Sequence, residues 1–208
     1  MMKNIYTDFW VRFYALFLDF LFLAPLTYLS YYLIGLGKNV YFYTFIPNFL
    51  FGLWYHIYLT KKYGGTPGKI IAGVTIIKLD GTIIGWKEAI LRNIVVIGFS
   101  LIHMGIMINS VLQINETIYI NKGWNERGLY IMSLSSIYFN IYICIMYVWY
   151  FIEFIVMLMN KRKRAIHDFI AGTVAVKTKY IDNVRVFMMN KIGKSEHNNP
   201  EILDSILD

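Results

Sequence analysis

Four long runs of apolar residues alternate with short stretches that carry most of the charge in this chain of 208 residues. The runs cover residues 10–36, 41–60, 94–114 and 129–159. Each run is long enough to cross a bilayer, which takes about 20 residues of α-helix. Apolar residues make up 57% of the sequence and charged residues 16%, too few to cover the surface of a water-soluble domain. The pattern predicts an all-α membrane protein with a bundle of about four transmembrane helices.

Basic residues are distributed unevenly among the stretches that connect these runs. Because Lys and Arg are enriched on the cytoplasmic side of membrane proteins, the more basic side predicts the cytoplasm and places both termini there. We therefore expect a multi-pass protein of the plasma membrane. The basic side carries Lys61, Lys62, Lys69, Lys78, Lys87 and Arg92 after the second run and begins with Lys161, Arg162, Lys163 and Arg164 after the fourth, whereas the other side carries Lys38, Lys122 and Arg127.

The formal net charge of +7 raises the question of what the positive residues bind. Most of them flank the apolar runs, where they meet the head groups of the lipid bilayer. We therefore expect the bilayer and its anionic lipid head groups as partners, and no nucleic acid.

The stretch between the second and third runs is expected to form a small cytoplasmic β-hairpin. Residues 74–79 predict a strand, Asp80-Gly81 a tight turn, and residues 82–84 a returning strand. Residues 172–177 have the same β-branched character and are expected to pair with this hairpin.

Two further segments complete the predicted organisation. Residues 86–93 predict an interfacial amphipathic helix, with Lys87, Glu88 and Arg92 facing water. Residues 1–180 are expected to form one membrane domain, and residues 181–208 a polar cytoplasmic tail.

Arg12 and Asp19 are charged residues inside the first apolar run. Their spacing of seven positions is about two turns of helix, so they share a face and lie roughly 10 Å apart along the axis. A carboxylate at the depth of Asp19 costs about 2.5–3.5 kcal/mol, so it should face the bundle interior with a partner or a proton. Asp19 is therefore either an ion or proton site, or part of a structural charge network that locks helices together.

The segment after the fourth run brings a second carboxylate close to basic residues. The cluster from Lys161 to Arg164 is typical of a stop-transfer anchor on anionic lipid. Asp168 lies among apolar residues beyond it and is a candidate partner for Arg12. His167 beside it is either a group that titrates near neutral pH or a structural histidine.

The sequence Gly64-Gly-Thr-Pro-Gly-Lys69 resembles a phosphate-binding loop but lacks its spacing. Three residues separate Gly64 from Gly68 where four are required, and Lys69 is followed by Ile70 and not by Ser or Thr. The better interpretation is a turn in which Pro67 fixes an extended bend and Gly68 permits an unusual dihedral. Lys69 would then project toward lipid phosphate or an acidic partner.

Other polar residues at membrane depth offer little chemistry. His103 lies near the middle of the third run, where it either joins a proton path with Asp19 or is a hydrogen-bonded interior histidine. Glu153 lies near the cytoplasmic end of the fourth run and can snorkel to the interface. Because no hydrolytic triad and no metal-ligand spacing is evident, we expect neither an enzyme nor a metal site, and no cofactor.

Taken in order, the segments from Arg12 to Asp19, the Gly-Thr-Pro-Gly-Lys turn, Arg92-Asn93 and the segment around Asp168 resemble the RDD family of bacterial integral membrane proteins. The family is named for one arginine and two aspartates, which fall here on Arg12, Asp19 and Asp168. The resemblance covers residues 9–177. It implies a bacterial membrane protein whose relatives include sodium/proton antiporters and accessory proteins in antimicrobial-peptide resistance.

Two functional hypotheses follow. In the first, the chain is a small ion transporter of the cation/proton exchange type, in which Asp19 alternates between a proton and a cation while Arg12 and Asp168 set its pKa. Because four helices enclose little pathway, this hypothesis expects a homo-oligomer. In the second, the chain is a non-catalytic membrane subunit or resistance factor that acts through a partner protein, and the same three residues form a structural network.

Overall fold

The computed structural model describes residues 5–182 and residue 186, so most of the predicted tail over residues 181–208 lies outside the described residues. Within the described part, most residues are helical and the strands form a small antiparallel sheet. The helices are α1 (Phe9–Ile34), α2 (Val40–Leu53), α3 (Leu59–Tyr63), α4 (Pro67–Ile71), α5 (Trp86–Leu112), α6 (Glu116–Asn121), α7 (Trp124–Leu134), α8 (Ser136–Met159) and α9 (Ile166–Ile170), and the strands are β1 (Val74–Lys78) and β2 (Thr173–Lys177).

The chain is a membrane protein, and its longest helices follow three of the four predicted spans. Among the described residues, three helices, α1, α5 and α8, are long and apolar enough to cross a membrane. The second predicted span, residues 41–60, is divided between α2, a π-helical turn at Trp54–Tyr58 and α3. Three of the about four predicted spans are therefore single long helices, and the remaining one, residues 41–60, is helical but interrupted.

Two predicted boundaries differ from the structure. The amphipathic helix predicted at residues 86–93 is not a separate element, because α5 runs without a break from Trp86 to Leu112 and is roughly 40 Å long. The fourth predicted span, residues 129–159, is interrupted at Ser135, which separates α7 from α8. Local hydropathy could not locate either boundary, because both depend on whether the backbone continues in helical geometry through polar residues.

The sheet joins two segments that are far apart in the chain. Strands β1 and β2 are antiparallel, with Val74 opposite Lys177 and Ile76 opposite Ala175. The predicted pairing of residues 172–177 with the hairpin strand is thus confirmed. The predicted returning strand at residues 82–84 is reduced to one isolated bridge between Ile77 and Ile83.

The described residues divide into two compact units. The first consists of Met1–Phe20, Tyr55–Asn93 and Glu153–Asp208, as far as these ranges are described. Its core is formed by one face of the sheet. Ile77, Val174 and Val176 are buried there, and Ile5, Tyr6, Leu79, Tyr180 and Ile181 pack against them.

The second unit consists of Leu21–Trp54 and Ile94–Ile152. Its buried core contains Tyr41, Val111, Ile114, Tyr119 and Ile131. The segment over residues 115–127 belongs to this unit and contains α6, and the Arg127 guanidinium donates hydrogen bonds to four backbone carbonyls, three within the segment and one outside it. The acceptors are the carbonyl oxygens of Gly35, Tyr119, Ile120 and Lys122.

Candidate functional site

Asp168, in the first turn of α9, is the centre of a buried charge network in the first unit. Its side chain is 0% exposed. One carboxylate oxygen, Oδ2, accepts hydrogen bonds from Arg12 Nη1 at 2.9 Å and from the Ala165 backbone N–H at 3.1 Å. The other oxygen, Oδ1, accepts from Arg92 Nη1 and from the Thr173 hydroxyl, the latter at 3.4 Å. Both oxygens of a fully buried carboxylate are therefore satisfied, by two guanidinium groups and two neutral donors.

The ionised state of Asp168 follows from this geometry. Burial alone raises the pKa of a carboxyl group. The positive charges of Arg92 and Arg12 outweigh burial and hold the pKa of Asp168 well below its usual range. Asp168 therefore stays negatively charged throughout the physiological pH range and does not exchange protons near neutrality.

Arg12, near the start of α1, fixes three parts of the chain at once. Besides Asp168, it donates from Nη2 to the Lys163 carbonyl at 2.6 Å and from Nε to the Thr7 hydroxyl at 3.0 Å. Thr7 in turn donates its hydroxyl hydrogen to the Ala175 carbonyl in β2 at 3.1 Å. The guanidinium thus ties α1 to the segment before α9 and, through Thr7, to the sheet.

Arg92 was expected to face water, and this prediction is wrong. Its side chain is buried, and besides Asp168 it donates to the Thr173 hydroxyl at 2.8 Å. Its second terminal nitrogen lies 3.0 Å from His167 Nε2. The amphipathic pattern of residues 86–93 shows which side chains are polar. It does not show whether a polar side chain such as Arg92 meets water or a buried carboxylate from a distant part of the chain.

His167 connects this network to Glu153 at the end of α8. A guanidinium can only donate, so His167 Nε2 accepts from Arg92 and the ring proton lies on Nδ1. That Nδ1 lies 2.7 Å from Glu153 Oε1, to which it donates, and the His167 backbone N–H donates to the same oxygen at 3.3 Å. Glu153, predicted to snorkel to the interface, instead holds the imidazole in one tautomer.

Arg164 also departs from its prediction. It was grouped with the stop-transfer anchor, but its side chain is buried. It donates to the Thr173 carbonyl at 3.1 Å and to the Asp168 carbonyl at 3.2 Å, and it lies over the Phe169 ring. A run of four basic residues gives no local sign of which one turns inward, because that depends on the strand that follows.

Asp19 forms a second cluster in the same unit. Its Oδ1 accepts hydrogen bonds from the Tyr55 hydroxyl at 2.6 Å and the Gly68 backbone N–H at 2.8 Å, and its Oδ2 accepts from the Thr66 hydroxyl at 2.5 Å. The carboxylate is buried, as its position in the first run predicts. Its hydrogen bonds hold the Gly-Thr-Pro-Gly turn against α1.

Gly68 has a different role from the predicted one. It lies inside α4, and the positive φ of this turn occurs at Gly64, where φ is 77°. A Cβ added to Gly68 would lie 2.6 Å from the Asp19 backbone nitrogen and 2.7 Å from Asp19 Cγ, and closer still to the Ala15 carbonyl. Glycine is needed at this position because the backbones of α4 and α1 are in contact and leave no room for a Cβ atom. It is not needed for an unusual backbone dihedral.

Lys69, beside this turn, is partly buried. It makes no hydrogen bond and no ion pair within 4 Å to the part of the chain that the structure describes. Burial, together with the charge of Arg92, lowers the pKa of Lys69 to about 8. The nearby carboxylates of Asp19 and Asp168 offset part of this effect.

His103 belongs to the second unit, whereas Asp19 belongs to the first. The His103 ring packs against the aromatic rings of Phe139 and Tyr142, with centroid distances of 6.2 and 5.5 Å. The two alternatives considered from the sequence, a proton path with Asp19 and a hydrogen-bonded interior histidine, both stay predictions.

Sequence reasoning identified Arg12, Asp19 and Asp168 but missed several of their partners. Tyr55 and Thr66 carry hydroxyl groups that gave no separate signal in an aromatic span and a turn. Arg92 lies in one of the segments that resemble the RDD family. Its position in that ordered set of motifs was the sequence signal that could have identified it as a site residue.

Comparison with protein-family models matches residues 6–172, most of the chain, to the RDD family. Comparisons with curated proteins and with solved structures found no match.

Proposed function

Because this chain belongs to the RDD family, we propose that it is a non-catalytic subunit of the bacterial plasma membrane that acts through a partner protein. In this proposal it crosses the membrane several times with both termini in the cytoplasm. Arg12, Asp19 and Asp168 are structural residues, and they hold the sheet and the turn in a fixed position on the cytoplasmic side.

The observation that carries this proposal is the hydrogen bonding of Asp19. A site for a metal cation needs several oxygen atoms with free lone pairs around the ion. The two carboxylate oxygens of Asp19 instead receive three donors, from Tyr55, Thr66 and Gly68. These donors occupy about three of the four lone-pair sites of the carboxylate, so a cation bound by both oxygens would have to displace at least one of them and weaken the attachment of the turn to α1.

The turn after β1 offers a surface for the partner in this proposal. Asp80 Oδ1 accepts from the Thr82 backbone N–H at 2.8 Å and from the Thr82 hydroxyl at 2.6 Å, so the turn is held by its own side chains. Ile83 follows directly and is exposed. A rigid turn with an exposed isoleucine supports docking, since little conformational entropy is lost on binding.

The first experiment compares the wild type with Asp19→Asn in proteoliposomes. A pH gradient is imposed, and sodium, lithium or potassium is added outside. We expect no cation-driven proton flux from either protein, and a lower melting temperature for Asp19→Asn. Asp8→Asn, the same change at an exposed carboxylate, is the matched control and should melt like the wild type.

The partner is tested in native membranes with a photo-crosslinking amino acid at position 83. We expect a discrete heterologous product, and none when the same amino acid replaces the exposed Lys179. A product that contains only two copies of this chain, or no product at all, would contradict the proposal.

A second candidate is cation/proton exchange, and Lys69 is the observation that favours it. Its pKa of about 8 would let it release a proton near neutral pH beside Asp19 and Asp168. In this case flux is present in the wild type and lost in Asp19→Asn while the variant stays folded. That result would replace the first proposal with the second.

A further inference from the structure

An apolar groove lies between the end of the second predicted span and α4. It is lined by Leu59, Tyr63, Pro67, Ile70 and Ile71, and its volume is about 280 Å³. All of these residues belong to the first unit. The groove shares none of its lining residues with the Asp168 network or the Asp19 cluster.

The groove cannot close by a rotation of α4. The opposite side of α4 is fixed to α1, because the Gly68 backbone N–H donates to Asp19 and Gly68 approaches the α1 backbone too closely for a Cβ. Ile70 and Ile71 are therefore left 46% and 58% exposed. Exposed isoleucines beside a concave apolar surface are typical of a binding site for an apolar ligand.

A positive charge lies at the rim of the groove. The ammonium of Lys62 is 5.2 Å from the centre of the Tyr63 ring, which lines the groove, and 5.6 Å from the centre of the Tyr58 ring. Lys61, the preceding residue, lies 5.2 Å from the centre of the Trp86 ring. Aromatic and basic residues next to the end of an apolar helix are the usual composition of a membrane interface.

We propose that this groove binds an acyl chain of an anionic phospholipid, whose phosphate is contacted by Lys62. The apolar lining accommodates the hydrocarbon, and the ammonium at the rim accommodates the negative head group. A lipid is favoured over a protein because the groove adjoins the end of the second predicted span, where lipid is expected to be abundant, and because its rim is positively charged.

The test uses the purified full-length chain in a neutral detergent after lipid removal. Phosphatidylglycerol or phosphatidylcholine with identical acyl chains is added, and bound lipid is counted by native mass spectrometry. We expect phosphatidylglycerol to bind about fivefold more tightly, the effect of one lysine close to an anionic head group. Equal binding of the two lipids would overturn the proposal.

Two variants locate the site. Lys62→Gln should remove the preference for phosphatidylglycerol, whereas Ile71→Asn should weaken binding of both lipids. Lys179→Gln is the matched control, because Lys179 makes a similar contact at 4.9 Å with the Tyr180 ring outside the groove. An equal effect of Lys179→Gln would show that the attraction is non-specific. Melting temperatures identify any variant that is not folded.

A second measurement distinguishes a lipid from other occupants. A photo-crosslinking amino acid at position 70 is activated in native membranes, and the product is analysed by mass. The expected adduct has the mass of a phospholipid. A crosslink to a second copy of the chain or to another protein, or equally tight binding of soluble glycerol phosphate in the purified sample, would exclude an acyl chain as the occupant. Neither lipid test depends on a partner at position 83 or on ion flux. The lipid proposal can therefore fail or succeed independently of the proposed function.

Discussion

Arg12 and Asp168 are separated by 156 positions in the sequence, yet Arg12 Nη1 lies 2.9 Å from Asp168 Oδ2. The pair joins the first helix to the short helix that follows the last long one. Both residues belong to the first unit, and either charge would be costly to bury without the other. The attachment of α9 to α1 therefore depends on both side chains.

Replacing Arg12 should be strongly destabilising. Arg12→Ala leaves the fully buried Asp168 with Arg92 as its remaining guanidinium partner and leaves the Lys163 carbonyl without this donor. We expect a loss of about 3–5 kcal/mol, the usual result of breaking a buried ion pair. The measurement is the unfolding free energy of the detergent-solubilised protein during titration with a denaturing detergent.

The control for Arg12→Ala is a surface ion pair between β2 and the residue that precedes α1. Lys177 lies 3.3 Å from Asp8, whose side chain is 56% exposed. Lys177→Ala should cost less than about 1 kcal/mol. Similar losses in the two variants would mean that burial adds nothing to the Arg12–Asp168 pair.

Gly68→Ala should disrupt packing at the turn. The new methyl group would lie 2.6 Å from the Asp19 backbone nitrogen, so α4 must move away and the hydrogen bonds to Asp19 must lengthen. We expect a lower melting temperature or failure to fold. Gly98→Ala is the matched control, because a methyl group at this position of α5 meets no atom within 4 Å. It should be neutral or slightly stabilising, since Ala favours helix over Gly.

Thr66 tests whether the hydroxyl groups around Asp19 stabilise its charge. Thr66→Val removes a buried donor at nearly constant shape and should cost about 1–3 kcal/mol. Thr66→Ser keeps the hydroxyl and should cost clearly less. In the Asp19→Asn background the cost of Thr66→Val should be smaller, because the Thr66 hydroxyl no longer donates to a negatively charged group. Additive costs in that double-mutant cycle would count against a direct interaction.

Lys69 should give the stability a pH dependence. With a pKa of about 8 in the folded chain and about 10.4 when unfolded, the unfolded state binds more protons between these values. Stability should therefore rise as pH increases from about 8 to 10, and the cost of the charged form should be fully present at pH 7.

Lys69→Met should remove this dependence and stabilise the protein at pH 7 by roughly 1–3 kcal/mol. The measurement is the difference in unfolding free energy between variant and wild type across the pH range, which cancels the titration of other groups. Lys179→Met, at an exposed position, should keep the wild-type profile. A Lys69→Met profile that rises as steeply as the wild type would contradict a depressed pKa at Lys69.

Much of the fold could be predicted because it depends on local composition. Apolar runs of about 20 residues identify helices of the length that a bilayer requires, and α1, α5 and α8 follow three of them. The β-branched character of residues 74–79 and 172–177 likewise predicted both strands and their pairing, whereas the returning strand predicted at residues 82–84 is reduced to one bridge. These signals lie in consecutive residues, so they can be detected without knowing how the rest of the chain folds.

The candidate site was predicted only in part. Arg12, Asp19 and Asp168 were recognisable because charge is rare at membrane depth and costly there. Their uncharged partners were not recognisable, because a tyrosine, a threonine or a glycine carries no such cost. The role of each depends on which side chain it contacts in the folded chain. Arg92 and Arg164 were assigned to water and lipid for a different reason, because an amphipathic pattern and a run of basic residues do not show which side chain meets a buried carboxylate or carbonyl.

Composition and local pattern were enough to show that this chain enters a membrane, where its long helices lie and which charged residues require an explanation. That Arg12 and Arg92 share Asp168, and that Asp19 accepts three hydrogen bonds around the Gly-Thr-Pro-Gly turn, follows only from the folded chain. The two kinds of information differ in the distance along the chain over which they act. Hydropathy and backbone propensity act over a few neighbouring residues, whereas the free energy of a buried charge depends on groups brought within about 3 Å from distant parts of the chain.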